Sequence, residues 1–155
     1  MTLAEVRLWG ALVGNVAWDT SRDLGVFEYT PEYIARGVEL APLKMPLKDG
    51  TYDFPALNRA TYKGLPGMLA DSLPDKFGNA LIDQWLAENQ RTPESFNPVE
   101  RLLYTGTRGM GALEFQPAIE EVSTQNISLD IEELVKVSSE LLMRREQERA
   151  HLNPN

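Results

Sequence analysis

The chain has 155 residues, a net charge of −8, 43% apolar and 25% charged residues, ordinary values for one soluble globular domain. The acidity argues against the basic footprint of an autonomous nucleic-acid binder and against attraction to anionic membranes. With no cysteine, disulfides, thiolate metal sites and a cysteine nucleophile are excluded.

The first residues lack the basic-then-apolar pattern of a signal peptide. No stretch approaches the roughly 18 uninterrupted apolar residues of a membrane span, so a cytoplasmic location is expected. The first third then reads as strands. Ala4 to Trp9 alternates roughly between apolar and polar residues until Gly10 interrupts it. "ALVGNVAWD" follows, and Asp19-Thr20-Ser21-Arg22-Asp23 is turn chemistry. "GVFEYT" is a third strand, rich in residues that favour a pleated surface. Short spacers make these runs antiparallel neighbours.

Residues 30–66 read as irregular, with prolines at 42, 46 and 55. One or two short strands are expected there, with Lys48-Asp49-Gly50 as a turn. From Ser72 the pattern becomes helical. Ser72 is read as the cap, Pro74 lies in the first turn and Asp75 takes the third position of a capping box. Phe77, Leu81, Ile82, Trp85 and Leu86 then form one apolar stripe.

Asn97-Pro98-Val99-Glu100 starts a second helix, which should stop at Gly106. "ALEFQP" reads as a strand and residues 117–127 as a loop. Ser128 is read as the cap of a last helix with Ile131, Leu134, Val135, Ser138, Leu141 and Leu142 on one face. Arg144, Arg145 and Arg149 among glutamates give it a solvated end. The fold class is α+β: an antiparallel sheet of short strands first, then three or so helices packed on it. Residues 1–127 form one subdomain and residues 128–155 a C-terminal helix with a frayed tail.

Catalytic motifs are sparse. "GTRGMG" at 106–111 has the wrong glycine order for a phosphate cradle, and its first glycine is a helix stop. "SRDL" at 21–24 is similar to part of a kinase catalytic loop, but Glu28 stands where that pattern has Asn. "DKFG" at 75–78 has one residue too many for a metal-binding D-F-G. Asp71 and Asp75 could pair as acid and base, although Asp75 is better explained by the positive end of a helix. His151 lies in the tail. Trp9, Trp18 and Trp85 read as core or interface anchors.

"GLPGMLADSLPDKFGNALIDQWL" at 64–86, with "RLLYTGTRGMGALEF" at 101–115, resembles the N-terminal region of HipA-like proteins, the serine/threonine kinase toxins of bacterial toxin–antitoxin systems. The matching residues of the first block are Gly64, Leu65, Pro66, Leu69, Asp71, Ser72, Leu73, Pro74, Asp75, Phe77 and Gly78. Those of the second run from Arg108, Gly109 and Met110 to Phe115. The early strands and "LKMPL" fit as well.

The resemblance implies a non-catalytic lobe that packs on a kinase core, in cis or in trans. A HipB-like DNA-binding antitoxin is an implied further partner. ATP and Mg are implied only for a full-length kinase, since the family's phosphate loop, catalytic base and metal ligands would lie in the absent core. No cofactor, metal, membrane or direct nucleic-acid contact is expected of this chain alone. A free-standing regulatory protein or antitoxin of a split system stays open beside the lobe. Two apolar segments are candidate contact faces: Leu65, Met68 and Leu69 behind Pro66, and Leu141, Leu142 and Met143. Closure of this domain's own core is the alternative for both.

Overall fold

The computed structural model describes residues 3–40, 45–109, 111–118, 131–144 and 147. Among them, β1 (Leu3–Leu8), β2 (Ala11–Asp19), β3 (Leu24–Tyr29), β4 (Thr51–Tyr52) and β5 (Leu113–Pro117) form one antiparallel sheet in the order β4–β3–β2–β1–β5. The α+β class expected from the sequence is therefore correct.

Alternation decides which residues turn inward. Ala4, Val6, Val16, Trp18, Phe27, Tyr29 and Phe115 are buried, and the register sets Val6 against Phe115 and Val16 against Phe27. Glu28 and Gln116, on the opposite face, are exposed. The β1–β2 register shifts between Val6 and Arg7, a bulge that accompanies the burial of Val13. The Val13 carbonyl accepts the Thr30 N–H at 3.0 Å.

Thr30 begins a helix that the sequence reading missed. α1 (Pro31–Arg36) has Thr30 as N-cap, Pro31 in its first turn and left-handed Gly37 at its end. Those are ordinary start and stop signals. Only Tyr33 of its six residues is buried, so no apolar repeat announces it. Two one-turn helices follow, α2 (Arg59–Tyr62) within the stretch read as irregular and α3 (Gly67–Ala70) just after it.

α4 (Lys76–Glu88) buries Leu81, Ile82, Trp85 and Leu86, as its stripe predicts. Its start corrects the expectation. Asp75, not Ser72, is the N-cap, and its carboxylate accepts the Gly78 N–H at 2.7 Å. The cause is Pro74, whose ring disfavours the helical conformation for Leu73. Ser72 instead closes the turn after α3, its N–H donating to the Leu69 carbonyl at 3.0 Å.

α5 (Pro98–Thr105) has the reciprocal capping box read from sequence. Asn97 Oδ1 accepts the Glu100 N–H at 2.9 Å, and Glu100 Oε1 accepts the Asn97 N–H at 3.1 Å. It ends at Gly106, at φ 53°. Residues 131–144 form α6, with Ile131, Leu134 and Ser138 buried. The Ser128 cap, His151 and most of the terminal tail lie outside the described residues. No helix among the described residues is long and apolar enough to cross a membrane.

The core joins the inner sheet face to α4 and α5, and its aromatic end is a cluster of Phe27, Tyr29, Tyr33 and Tyr52. Tyr29 donates to the Met45 carbonyl at 2.8 Å. Burial pushes the Tyr29 hydroxyl up to about 12. The folded state thus favours the neutral phenol. Its contribution to stability is full below the ordinary tyrosine value near 10 and is lost as pH rises toward 12.

Two predictions follow from these local structures. Asp75→Ala should cost about 0.5–2 kcal/mol in denaturant unfolding, and Ser72→Ala no more than about 0.5 kcal/mol. Unfolding followed between about pH 10 and 12 should show stability falling with pH, and Tyr29→Phe should flatten that slope.

Candidate functional site

The segment that opens at Gly64 is fixed to the sheet before its helix begins. The Gly64 carbonyl accepts the Gly25 N–H of β3 at 2.8 Å. A Cβ on Gly25 would lie 2.5 Å from Leu65 Cδ2, so a larger residue there would have to displace the Leu65 side chain. Leu65 thus occupies the notch that Gly25 leaves, and it is 1% exposed. Gly64 itself sits at φ 81°, and a Cβ on it would lie 2.9 Å from the Asp23 carbonyl.

Charged groups brace the same junction. The Arg59 guanidinium donates to the Asp23 and Arg22 carbonyls. Arg22 in turn pairs with Asp19 at 2.9 Å and Asp53 at 3.0 Å. The Ser21 hydroxyl and the Arg22 guanidinium hold the Asp19 carboxyl below the usual carboxylate range. These pairs are exposed, so they orient the turn more than they stabilise the fold.

Downstream, Pro66 leads into α3, whose Leu69 is fully buried and Met68 half-buried. Leu65 and Leu69 therefore serve this domain's own core and offer no free apolar face. Asp71 is exposed, and Asp75 is occupied by its helix-capping bond, so the two do not form a buried acid–base pair. Ser72 and Pro74 are half-buried, and the Ser72 carbonyl accepts the Thr105 hydroxyl of α5 at 3.0 Å.

α4 and α5 are joined by Arg101, a residue the sequence reading did not single out. Its guanidinium donates to Asn79 Oδ1 at 2.9 Å, Asp83 Oδ1 at 3.1 Å and the Pro93 carbonyl at 3.1 Å. It also lies over the Phe96 ring, 5.8 Å from the centroid. The planar head of arginine spreads five donors over three nitrogens, which suits acceptors placed this far apart better than the single ammonium of lysine.

Between these braces runs an open groove of about 880 Å³. Arg59, Lys63 and Arg101 face it with Asp23, Asp83 and Glu94, so it favours neither anions nor cations. No cluster of three or more histidine or acidic side chains able to hold a metal occurs among the described residues.

The second block is also structural where it is described. Arg108 stacks on Tyr104 at 4.7 Å and donates to the Tyr104 carbonyl. The Gly106 carbonyl accepts the Phe115 N–H at 3.1 Å. Met110 lies outside the described residues. At the far end of α6, Leu141 is half-buried, Leu142 is 38% exposed and Met143 is 61% exposed.

The family model described as the HipA N-terminal domain matches residues 4–116, from β1 into β5. The chain belongs to that family. Comparison with curated proteins gives no match.

Leu65→Ala should cost about 2–5 kcal/mol in thermal or denaturant unfolding, the range for emptying a buried leucine site. Lys63→Ala, one residue before the junction, should stay within about 0.5 kcal/mol of the parent.

Proposed function

We propose that this chain is the non-catalytic N-terminal lobe of a HipA-like serine/threonine protein kinase, a toxin of a bacterial toxin–antitoxin pair, and that it works by packing on the kinase core. The observation that carries this reading is family membership over residues 4–116. The use made of the acidic side chains supports it. Asp75 caps α4, Asp19 and Asp53 both pair with Arg22, Asp83 pairs with Arg101 and Glu100 closes a capping box.

Phosphoryl transfer depends on positioned metal ions, a phosphate cradle and a base. In this reading the kinase core supplies them, together with the ATP and Mg sites, and the location is cytoplasmic. The lobe's contact with the core uses the exposed end of α6, where Leu142 and Met143 follow a stretch whose Leu134 and Ser138 are buried. An apolar pair at the end of an otherwise packed helix suits a docking contact. A HipB-like antitoxin is the further partner of the assembly.

Calorimetry with Mg-ATP should give no binding heat for this chain alone. Adding the kinase core in trans should slow amide exchange over residues 139–144. Met143→Asp should weaken that complex roughly tenfold or more while leaving the thermal midpoint of the free chain unchanged. Micromolar ATP affinity would sink the reading, as would a stable complex that leaves 139–144 unprotected.

A further inference from the structure

The three tryptophans divide sharply. Trp18 and Trp85 are each 5% exposed and belong to the core, whereas Trp9 is 83% exposed. Trp9 stands at the tip of the β1–β2 hairpin, where the turn needs two residues at positive φ. It adopts φ 48° and Gly10 adopts φ 83°. Asparagine, aspartate and glycine take that conformation readily; a bulky aromatic does not. One residue is thus disfavoured twice, by its backbone and by its exposure. An outlier of this kind points to function.

The backbone of the tip is also braced. The Arg7 guanidinium donates to the Gly10 carbonyl at 3.2 Å and pairs with Glu5 at 2.8 Å. β1 is paired on both sides, by β2 and by β5. The Leu8–Leu113 pair sets Trp9 beside the exposed residues Gly111 and Ala112, which leave the ring unshielded. A rigid aromatic loses little conformational freedom on being buried by a partner, and tryptophan is the residue most enriched among binding hot spots.

We propose that Trp9 is the anchor of a protein-binding surface, and that its partner is a separate protein of net positive charge with an apolar slot for the indole ring. The charge argument selects the partner. At −8 another copy of this chain is repelled, while a cationic protein is drawn in.

The test places a photoreactive benzoyl-phenylalanine at position 9 of the full-length protein in its own cells, with the same group at the half-exposed Val38 as control. One dominant adduct with a basic protein, absent from the control, is expected. That protein is then purified and titrated against the parent and two variants. Trp9→Asn should weaken binding roughly thirty-fold or more, the loss of a hot-spot aromatic, while leaving the thermal midpoint equal or higher because asparagine suits the turn. Trp9→Phe should recover most of the affinity, and binding should weaken as salt is raised. Adduct yield no higher than at Val38 would overturn the proposal. So would an adduct only with another copy, with the rest of the same polypeptide or with an acidic protein, or unchanged affinity in Trp9→Asn.

Discussion

The hydrogen bond from the Gly25 N–H to the Gly64 carbonyl, with Leu65 seated where Gly25 lacks a side chain, joins the sheet to the helical half of the molecule. The rest of the domain is arranged around that junction. It sets the point from which α3, the Pro74 turn and α4 depart. The helices so placed bury Leu69, Ile82, Trp85 and Leu86 against Val16, Trp18 and Phe27. Burial of this kind, not the exposed ion pairs nearby, supplies most of the stabilisation. Arg101 then fixes α5 to α4, and α5 delivers Gly106 to the far side of the sheet.

A glycine carbonyl takes one strand donor near each end of the sheet. At one, the Gly64 carbonyl takes a β3 donor that the two-residue β4 does not reach; at the other, the Gly106 carbonyl takes the outward Phe115 N–H of β5, and Pro117 has none to offer. Open edges invite strand pairing with other chains. The two sequence blocks that resemble the HipA family are therefore built around glycines that satisfy edge-strand donors.

Elements that depend on local pattern were legible in the sequence. β2 occupies the expected residues because its apolar run is bounded by Gly10 and Asp19. α5 was readable in full from Asn97-Pro98-Glu100 and Gly106. α4 was readable as a stripe but misplaced at its start, because the constraint that Pro74 puts on Leu73 outweighs a well-spaced serine. α1 had its signals in Thr30, Pro31 and Gly37, but too short a body for periodicity to register.

The residues that brace the candidate site were less legible for a different reason. Arg59 and Arg101 act on carbonyls and side chains that only the tertiary fold brings to them. Trp9 reads by type as a core or interface anchor, and its place in a tight turn, 83% exposed, rules out the core. Leu65 and Leu69 were open to either use until the notch at Gly25 gave Leu65 its seat.

The most direct measurement is amide hydrogen exchange at Gly25 in the free chain. If the Gly25–Gly64 bond holds the two halves together, the Gly25 N–H opens only when the domain does, and it should exchange in the slow class with the amides of Ile82 and Trp85. Exchange at Gly25 as fast as in the turn at residues 20–22, while Ile82 and Trp85 stay protected, would mean that the loop detaches without consequence, and the junction would not hold the central place assigned to it.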